Sequence, residues 1–321
     1  MKKIAVTMGD PAGIGPEIIV KMLGGDFDFE QCFPVIIGDK NVLEKAAALC
    51  GIDEFEEKYG KYICHVETNL GNVEPGVVQA KCGKAAFEYI KKSVELCMDG
   101  TCSAVATAPI NKESLKAAGV PYIGHTEIYA GLTNTDDPLT MFETDGLRIF
   151  FVTRHLSLAC SIKALTKERI VDYILRCTEA LRRIGLGEGT MAVAGLNPHN
   201  GEHGLFGDEE GRVIEPAVSE ASGILAQKFP GAHVCGPVPA DSVFHLAHNG
   251  RYSCVLSLYH DQGHIAAKTL DFEKTISITH GLPFLRTSVD HGTAFDIAWK
   301  NLASSVSIAE AVRLACKYEL T

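Results

Sequence analysis

A chain of 321 residues, 46% of them apolar and 22% charged, holds enough material for one large hydrophobic core or two smaller ones, which excludes disordered and fibrous architectures. Its formal net charge of −10 argues against general nucleic-acid binding, which draws on clustered Lys and Arg. A small anionic ligand stays compatible with that charge if a local cationic pocket outweighs the screened field of the whole protein.

In chain order, residues 3–8 read as a short buried strand, followed by Gly9-Asp10-Pro11-Ala12-Gly13-Ile14-Gly15-Pro16-Glu17 and a helix to Leu23. Pro16 suits the first turn of that helix, where a missing N–H costs nothing. Further strands are expected at 33–38, 104–108, 147–153, 191–196 and 254–258. Helices are expected at 41–49, 84–98, 112–118, 167–184, 208–229 and 308–317. This alternation predicts an α/β fold of two α/β/α layered domains with mostly parallel sheets and a cleft between them. Punctuation at Gly119-Val120-Pro121 and Asn249-Gly250 sets the expected boundaries, with residues 1–120 and 251–321 forming one discontinuous domain and 121–250 the other.

The 11 cysteines are odd in number and scattered, and no CxxC pair occurs, so neither a disulfide framework nor a zinc ribbon is expected. The apolar stretch after Lys3 is too short for a signal peptide, and no segment approaches the roughly 20 apolar residues of a helical membrane span. The expectation is a cytoplasmic protein with reduced thiols and no membrane partner.

Chemistry concentrates between Ser253 and Ala298. There an apolar run leads into Tyr259-His260-Asp261-Gln262-Gly263, Lys268, and a stretch from Arg286 to Asp296. Ligands in α/β proteins gather beyond the carboxyl ends of strands. His155, His199 and His260 each follow a predicted strand, so they either converge on one divalent metal or serve separately as hydrogen-bonded strand-end histidines. Asn197-Pro198-His199-Asn200-Gly201-Glu202-His203-Gly204 is a polar loop suited to function or to turn formation. In Gly124-His125-Thr126-Glu127, His125 and Thr126 can contact a phosphate or carboxylate, or Thr126 can cap a helix. Lys268 and Arg286 are the candidate anion clamps, and Arg286 lies between neighbours that look packed. Asp241 and Asp261 are candidate acid/base or metal-tuning carboxylates. The first glycine turn has neither the GxGxxG spacing of a Rossmann fingerprint nor a GK[ST] Walker ending.

Taken together, six ordered motifs resemble the 4-hydroxythreonine-4-phosphate dehydrogenase family (PdxA), including relatives acting on D-threonate or D-erythronate 4-phosphate. They are 8–16, Gly124-His125-Thr126-Glu127, Gly195-Leu196-Asn197-Pro198-His199, 236–241, Tyr259-His260-Asp261-Gln262-Gly263 and 281–294. The resemblance implies an isocitrate/isopropylmalate dehydrogenase-like fold, with 1–120 and 251–321 binding cofactor and 121–250 binding substrate and metal and forming the dimer. It also implies a homodimer with a shared active site, one divalent metal per site (Zn, Mg, Mn or Co), and NAD, with NADP as the alternative oxidant.

By position, His155, His199 and His260 match the family's metal ligands, and His125, Thr126, Lys268 and Arg286 its substrate-binding residues. His291, Gly292, Thr293, Ala294 and Asp296 lie in a stretch similar to the adenosine-binding loop of the wider decarboxylating dehydrogenase group. Ser277 stands where the family usually has a substrate-touching asparagine, and a hydroxyl cannot offer an amide's two donors.

The implied reaction is oxidation of a secondary alcohol by NAD followed by loss of CO2, with Asp241, Asp261 and Lys268 as candidate catalytic groups. The implied substrate is 4-phosphohydroxy-L-threonine or D-threonate/D-erythronate 4-phosphate, in vitamin B6 synthesis or sugar-acid catabolism respectively. Two alternatives are a metal-dependent sugar-phosphate lyase or hydrolase without nicotinamide, and a catalytically silent ligand-binding relative.

Overall fold

The computed structural model describes residues 1–320. Eleven strands lie among them: β1 (Lys2–Thr7), β2 (Cys32–Gly38), β3 (Ile63–His65), β4 (Ala104–Thr107), β5 (Leu139–Thr144), β6 (Leu147–Phe151), β7 (Gly189–Ala194), β8 (Ala232–Val238), β9 (Cys254–Ser257), β10 (Ile276–His280) and β11 (Leu285–Val289). The chain divides into two compact units, one built from 1–138 with 276–319 and the other from 139–275.

In the first unit the strand order is β3-β2-β1-β4-β11-β10. All neighbours run parallel except the β10–β11 hairpin. Ile4, Ala5 and Val6 of β1 are fully buried, as a central parallel strand covered on both faces requires. Helices Ala80–Met98 and Val306–Lys317 both pack on β1, β2 and β4. The first helix, Gly15–Gly24, carries Pro16 in its opening turn, and Asp39 caps helix Lys40–Leu49 by accepting from Asn41 N at 2.9 Å.

In the second unit the order is β5-β6-β9-β7-β8, with β5–β6 antiparallel and the rest parallel. Phe142, Ile149, Phe151, Ala192, Val243, Val255 and Ala267 form its core. The helix expected over 208–229 starts later, as Glu215–Lys228, preceded by a π-helical turn at Glu210–Ile214. Glu210 is drawn aside there because its Oε1 accepts the amides of Leu196 and Asn197 at 2.8 and 2.6 Å.

Both unit boundaries fall later than the punctuation at 120 and 250 suggests. Helix His125–Thr133 packs on Ala80–Met98, where Tyr129 Oη and Ser93 Oγ lie 2.7 Å apart, so it belongs to the first unit. β9 inserts between β6 and β7, so the chain returns to the first unit only at β10. His125 and Thr126 therefore sit in the first unit, and His260, Asp261 and Lys268 in the second. Among the described residues no helix is long and apolar enough to cross a membrane.

Candidate active site

In the first unit the polar residues gather around Arg286. On β11 it lies between β4 and β10, opposite Val105 and Thr279, and it is 3% exposed. Its Nη1 donates to Thr279 Oγ1 and its Nη2 to Thr107 Oγ1, both at 3.0 Å, and its guanidinium carbon lies 5.3 Å from the centre of the Tyr129 ring. Among the described residues no carboxylate forms an ion pair with it, and its buried Nε has no hydrogen-bond acceptor. Burial pushes the guanidinium down to about 10, which still leaves it cationic at neutral pH. Glu127 acts on it only at a distance, and a buried charge without an ion-pair partner is costly, so this arrangement is complementary to an anion.

His125 opens the nearby helix, whose N-terminal residue Gly124 supplies no side-chain cap. The residue is partly exposed, yet its Nε2 is buried and lacks a partner. Burial first, and the Arg286 charge second, hold its imidazole well below the ordinary value of 6.5. His125 is thus neutral at pH 7, a hydrogen-bonding group rather than a second cation. Thr126 lies in the same first turn and does not cap the helix. Ser277, on β10, is partly buried and pairs in register with Ser288.

The expected cofactor loop is in the same unit. Gly292 and Asp296 are exposed, Thr293 is buried, and His291 Nδ1 lies 3.1 Å from Gly292 O. Ala294 adopts a positive φ of 42°.

In the second unit the order β6-β9-β7 places the segments carrying His155, His260 and His199 after three adjacent parallel strands. Gln262 fastens two of these strand ends: its Nε2 donates to Gly195 O at 2.7 Å while its Oε1 accepts from Leu258 N at 2.8 Å. The ring centres of His155 and His260 are 6.0 Å apart. Both line a cavity of about 300 Å³ with Arg154, Leu158, Ser161 and Tyr259.

His260 Nδ1 lies 2.6 Å from Asp261 Oδ1, which favours the tautomer protonated at Nδ1 and leaves the Nε2 lone pair available. Its ring stacks on His264 at 3.7 Å. His199 instead lines a separate cavity of about 730 Å³, with Glu202, His203, Asp208 and Arg212. Residues 199–203 all have positive φ, a run that the Asn197 bonds to Glu209 and Glu210 hold in place. Among the described residues of one chain, no three His, Cys, Asp or Glu side chains gather in a metal-binding group.

Asp241 is exposed in the first turn of helix Ala240–His248. Lys268 is partly buried, with Nζ 5.0 Å above the Phe272 ring. Sequence reasoning missed Thr107, Tyr129 and Thr279 around Arg286, and His264 beside His260. Gln262 and His264 were within reach of it, lying in or next to the segment that carries His260. Thr107 carried no local signal.

Mostly parallel strands ending in polar residues, in two α/β units of one chain, define a layered α/β protein. Within that class the chain belongs to the PdxA family: the family profile described as pyridoxal phosphate biosynthetic protein PdxA matches residues 30–315. It is 58% identical to a Fusobacterium nucleatum protein provisionally named D-threonate 4-phosphate dehydrogenase, over 98% of this chain and 97% of that one. The structure is similar to a 4-hydroxythreonine-4-phosphate dehydrogenase from Klebsiella pneumoniae, with a TM-score of 0.86, 42% identity, and coverage of 98% and 97% of the two chains. It is also similar to a terephthalate 1,2-cis-dihydrodiol dehydrogenase from Burkholderia xenovorans, with a TM-score of 0.66, 27% identity and 98% of each chain covered.

Proposed function

We propose that this protein is an NAD- and metal-dependent dehydrogenase that oxidises the secondary alcohol of a 4-phosphorylated hydroxy acid, D-threonate 4-phosphate foremost. The oxidation yields a ketone β to the carboxylate, and such an acid loses CO2 readily. One observation carries the anion-binding part of the reading: among the described residues, a buried guanidinium with no ion-paired carboxylate stands beside a neutral imidazole whose buried Nε2 has no hydrogen-bond partner. The preference for D-threonate 4-phosphate is supported by relatives of that provisional name at 58% identity, against 42% for the Klebsiella protein named for 4-hydroxythreonine 4-phosphate.

The donor sets fit both implied groups. Two imidazoles on one ion, with bonds of about 2.0–2.1 Å, bring their ring centres roughly 5–6 Å apart; those of His155 and His260 are 6.0 Å apart. His199 is the third ligand of the set. Its place in a different cavity within one chain supports a set that would be completed between two copies in a homodimer. Exposed Leu156, Leu158, Leu205 and Phe206 border the histidine loops and supply an apolar surface for such an interface. The exposed Asp296 suits the ribose hydroxyls of NAD and disfavours the extra phosphate of NADP.

When bound, a divalent cation supplies Lewis acidity toward the substrate hydroxyl, and NAD supplies the hydride acceptor. Arg286 and His125 bind and orient an anionic end of the substrate, with Thr126 in the same helical turn and Lys268 as a further cation. Asp261 fixes the His260 ring, which leaves Asp241 as the carboxylate that accepts the hydroxyl proton.

The test is an absorbance assay for reduced nicotinamide with D-threonate 4-phosphate, D-erythronate 4-phosphate and 4-phosphohydroxy-L-threonine, each with added Mg, Mn, Co or Zn. The highest kcat/KM is expected for D-threonate 4-phosphate. Reduction with none of the three, under any metal, overturns the proposal, and product released without nicotinamide reduction supports a lyase or hydrolase instead.

A further inference from the structure

The N-terminal glycine turn lies beneath the loop 291–296, and its own donors are already engaged. Ala12 N donates to the buried Asp10 Oδ1 at 2.9 Å, Gly13 N to Asp10 O at 3.0 Å, and Ile14 N to Thr293 O at 3.1 Å. With these three amides used inside the protein and residues 11–15 buried, the turn is not a phosphate cradle. It is a base plate. Trp299 Nε1 donates to Pro11 O at 3.0 Å, binding the far end of the loop to it. A Cβ on Gly13 would meet Thr293 Cβ at 2.9 Å, and one on Gly76, whose N–H donates to Ala12 O at 2.8 Å, would meet Phe295 O at 2.5 Å.

The other side of the loop is open, with Gly292 and Asp296 exposed. Its backbone, and that of the segment just after it, is also held where L residues seldom go: φ is 42° at Ala294 in the loop, and 59° at Trp299 and 57° at Asn301 beyond it. Such conformations persist when surrounding contacts over-determine them, and they concentrate at ligand clamps. Here the over-determining contacts are those to Pro11, Gly13 and Ile14.

We propose that Trp299 is a positioning residue whose indole bond to Pro11, acting with the close approach of Gly13 to Thr293, holds loop 291–296 in the shape that receives the adenosine end of the dinucleotide. This rests on the reading that the loop binds NAD.

The experiment compares full-length wild type with Trp299→Phe and Gly13→Ala, measuring NAD affinity by calorimetry in the presence of metal, together with steady-state KM for each substrate. Loss of one neutral hydrogen bond predicts a rise of about fivefold in both Kd and KM for NAD in Trp299→Phe. The KM for the phosphorylated acid is expected to stay near the wild-type value. Gly13→Ala, which displaces Thr293 and leaves the indole in place, is expected to shift NAD affinity in the same direction and carries the test if Trp299→Phe does not fold. Unchanged NAD affinity in the folded variants overturns the proposal, as does an equal rise in both KM values, which marks general loosening. Wild-type protein that binds metal and the phosphorylated acid but not NAD overturns the underlying reading instead. Trp299 is the chain's single tryptophan, so quenching of wild-type fluorescence on adding NAD, but not metal alone, reports the loop directly.

Discussion

Arg286 is shielded from water, bonded to two threonine hydroxyls and resting on Tyr129, yet among the described residues no carboxylate forms an ion pair with it and only the more distant Glu127 offsets its charge. Removing it should be felt by an anionic ligand before it is felt by the chemistry. Arg286→Ala is expected to raise the KM for the phosphorylated substrate by about 100-fold, the loss of two charge-assisted hydrogen bonds, with a smaller change in kcat. Arg286→Lys should recover only part of this, since an ammonium cannot reproduce the planar fork.

His125 makes a separate pH prediction. Its folded-state pKa is depressed, so below pH 6.5 the unfolded chain binds the proton first and stability falls as the pH drops. Urea titrations of wild type and His125→Asn should therefore differ by a constant amount above about pH 6.5 and shift progressively in favour of the variant below it. The packed neighbours of Arg286 were legible in its flanking residues. Thr107 and Tyr129 were not, because they reach it from β4 and from a helix far away in the chain.

Helix His260–Leu270 sits directly on β6, and Gly263 makes this possible. A Cβ there would meet Phe151 Cε1 at 2.6 Å and Ile149 Cγ2 at 2.8 Å. Gly263→Ala is expected to destabilise the protein by about 1–3 kcal/mol through overpacking, and to weaken metal binding because the displaced helix carries His260. Denaturant midpoints and calorimetric metal titration check the two effects. This helix was not foreseen, since a polar opening with an internal glycine gives little helical periodicity.

The β5–β6 hairpin was half foreseen. The strand after Asp145-Gly146 was identified, but the one before it was not, although Asp145 and Gly146, with φ of 46° and 82°, form the kind of two-residue link that joins antiparallel strands. Strands with strong aliphatic runs, such as β1, β4, β7 and β9, were the readable ones, because burial on both faces leaves a continuous apolar signature.

The division of the chain matters most for the histidines. All three belong to the second unit, yet His155 and His260 share one cavity while His199 lines another. A homodimer that shares its ligands predicts complementation. His199→Ala mixed with His260→Ala, each inactive alone, is expected to regain about a quarter of wild-type turnover, because about half the dimers are mixed and each of those has one intact site of two. His155→Ala mixed with His260→Ala should regain none if those two ligands come from the same copy. Failure of the first pair with mixed dimers confirmed by mass spectrometry removes the shared site.

Composition, periodicity and short motifs were enough to specify the α/β class, most central strands and the insertion of a second unit, and they pointed to the candidate site residues. Each of these depends on neighbours a few positions apart. The unit boundaries, the base plate beneath loop 291–296, the surroundings of Arg286 and the separation of His199 from the other two imidazoles depended on the tertiary structure. They arise from pairings between segments far apart in sequence, and such pairings are chosen by packing and hydrogen bonding of the folded chain rather than by any local pattern.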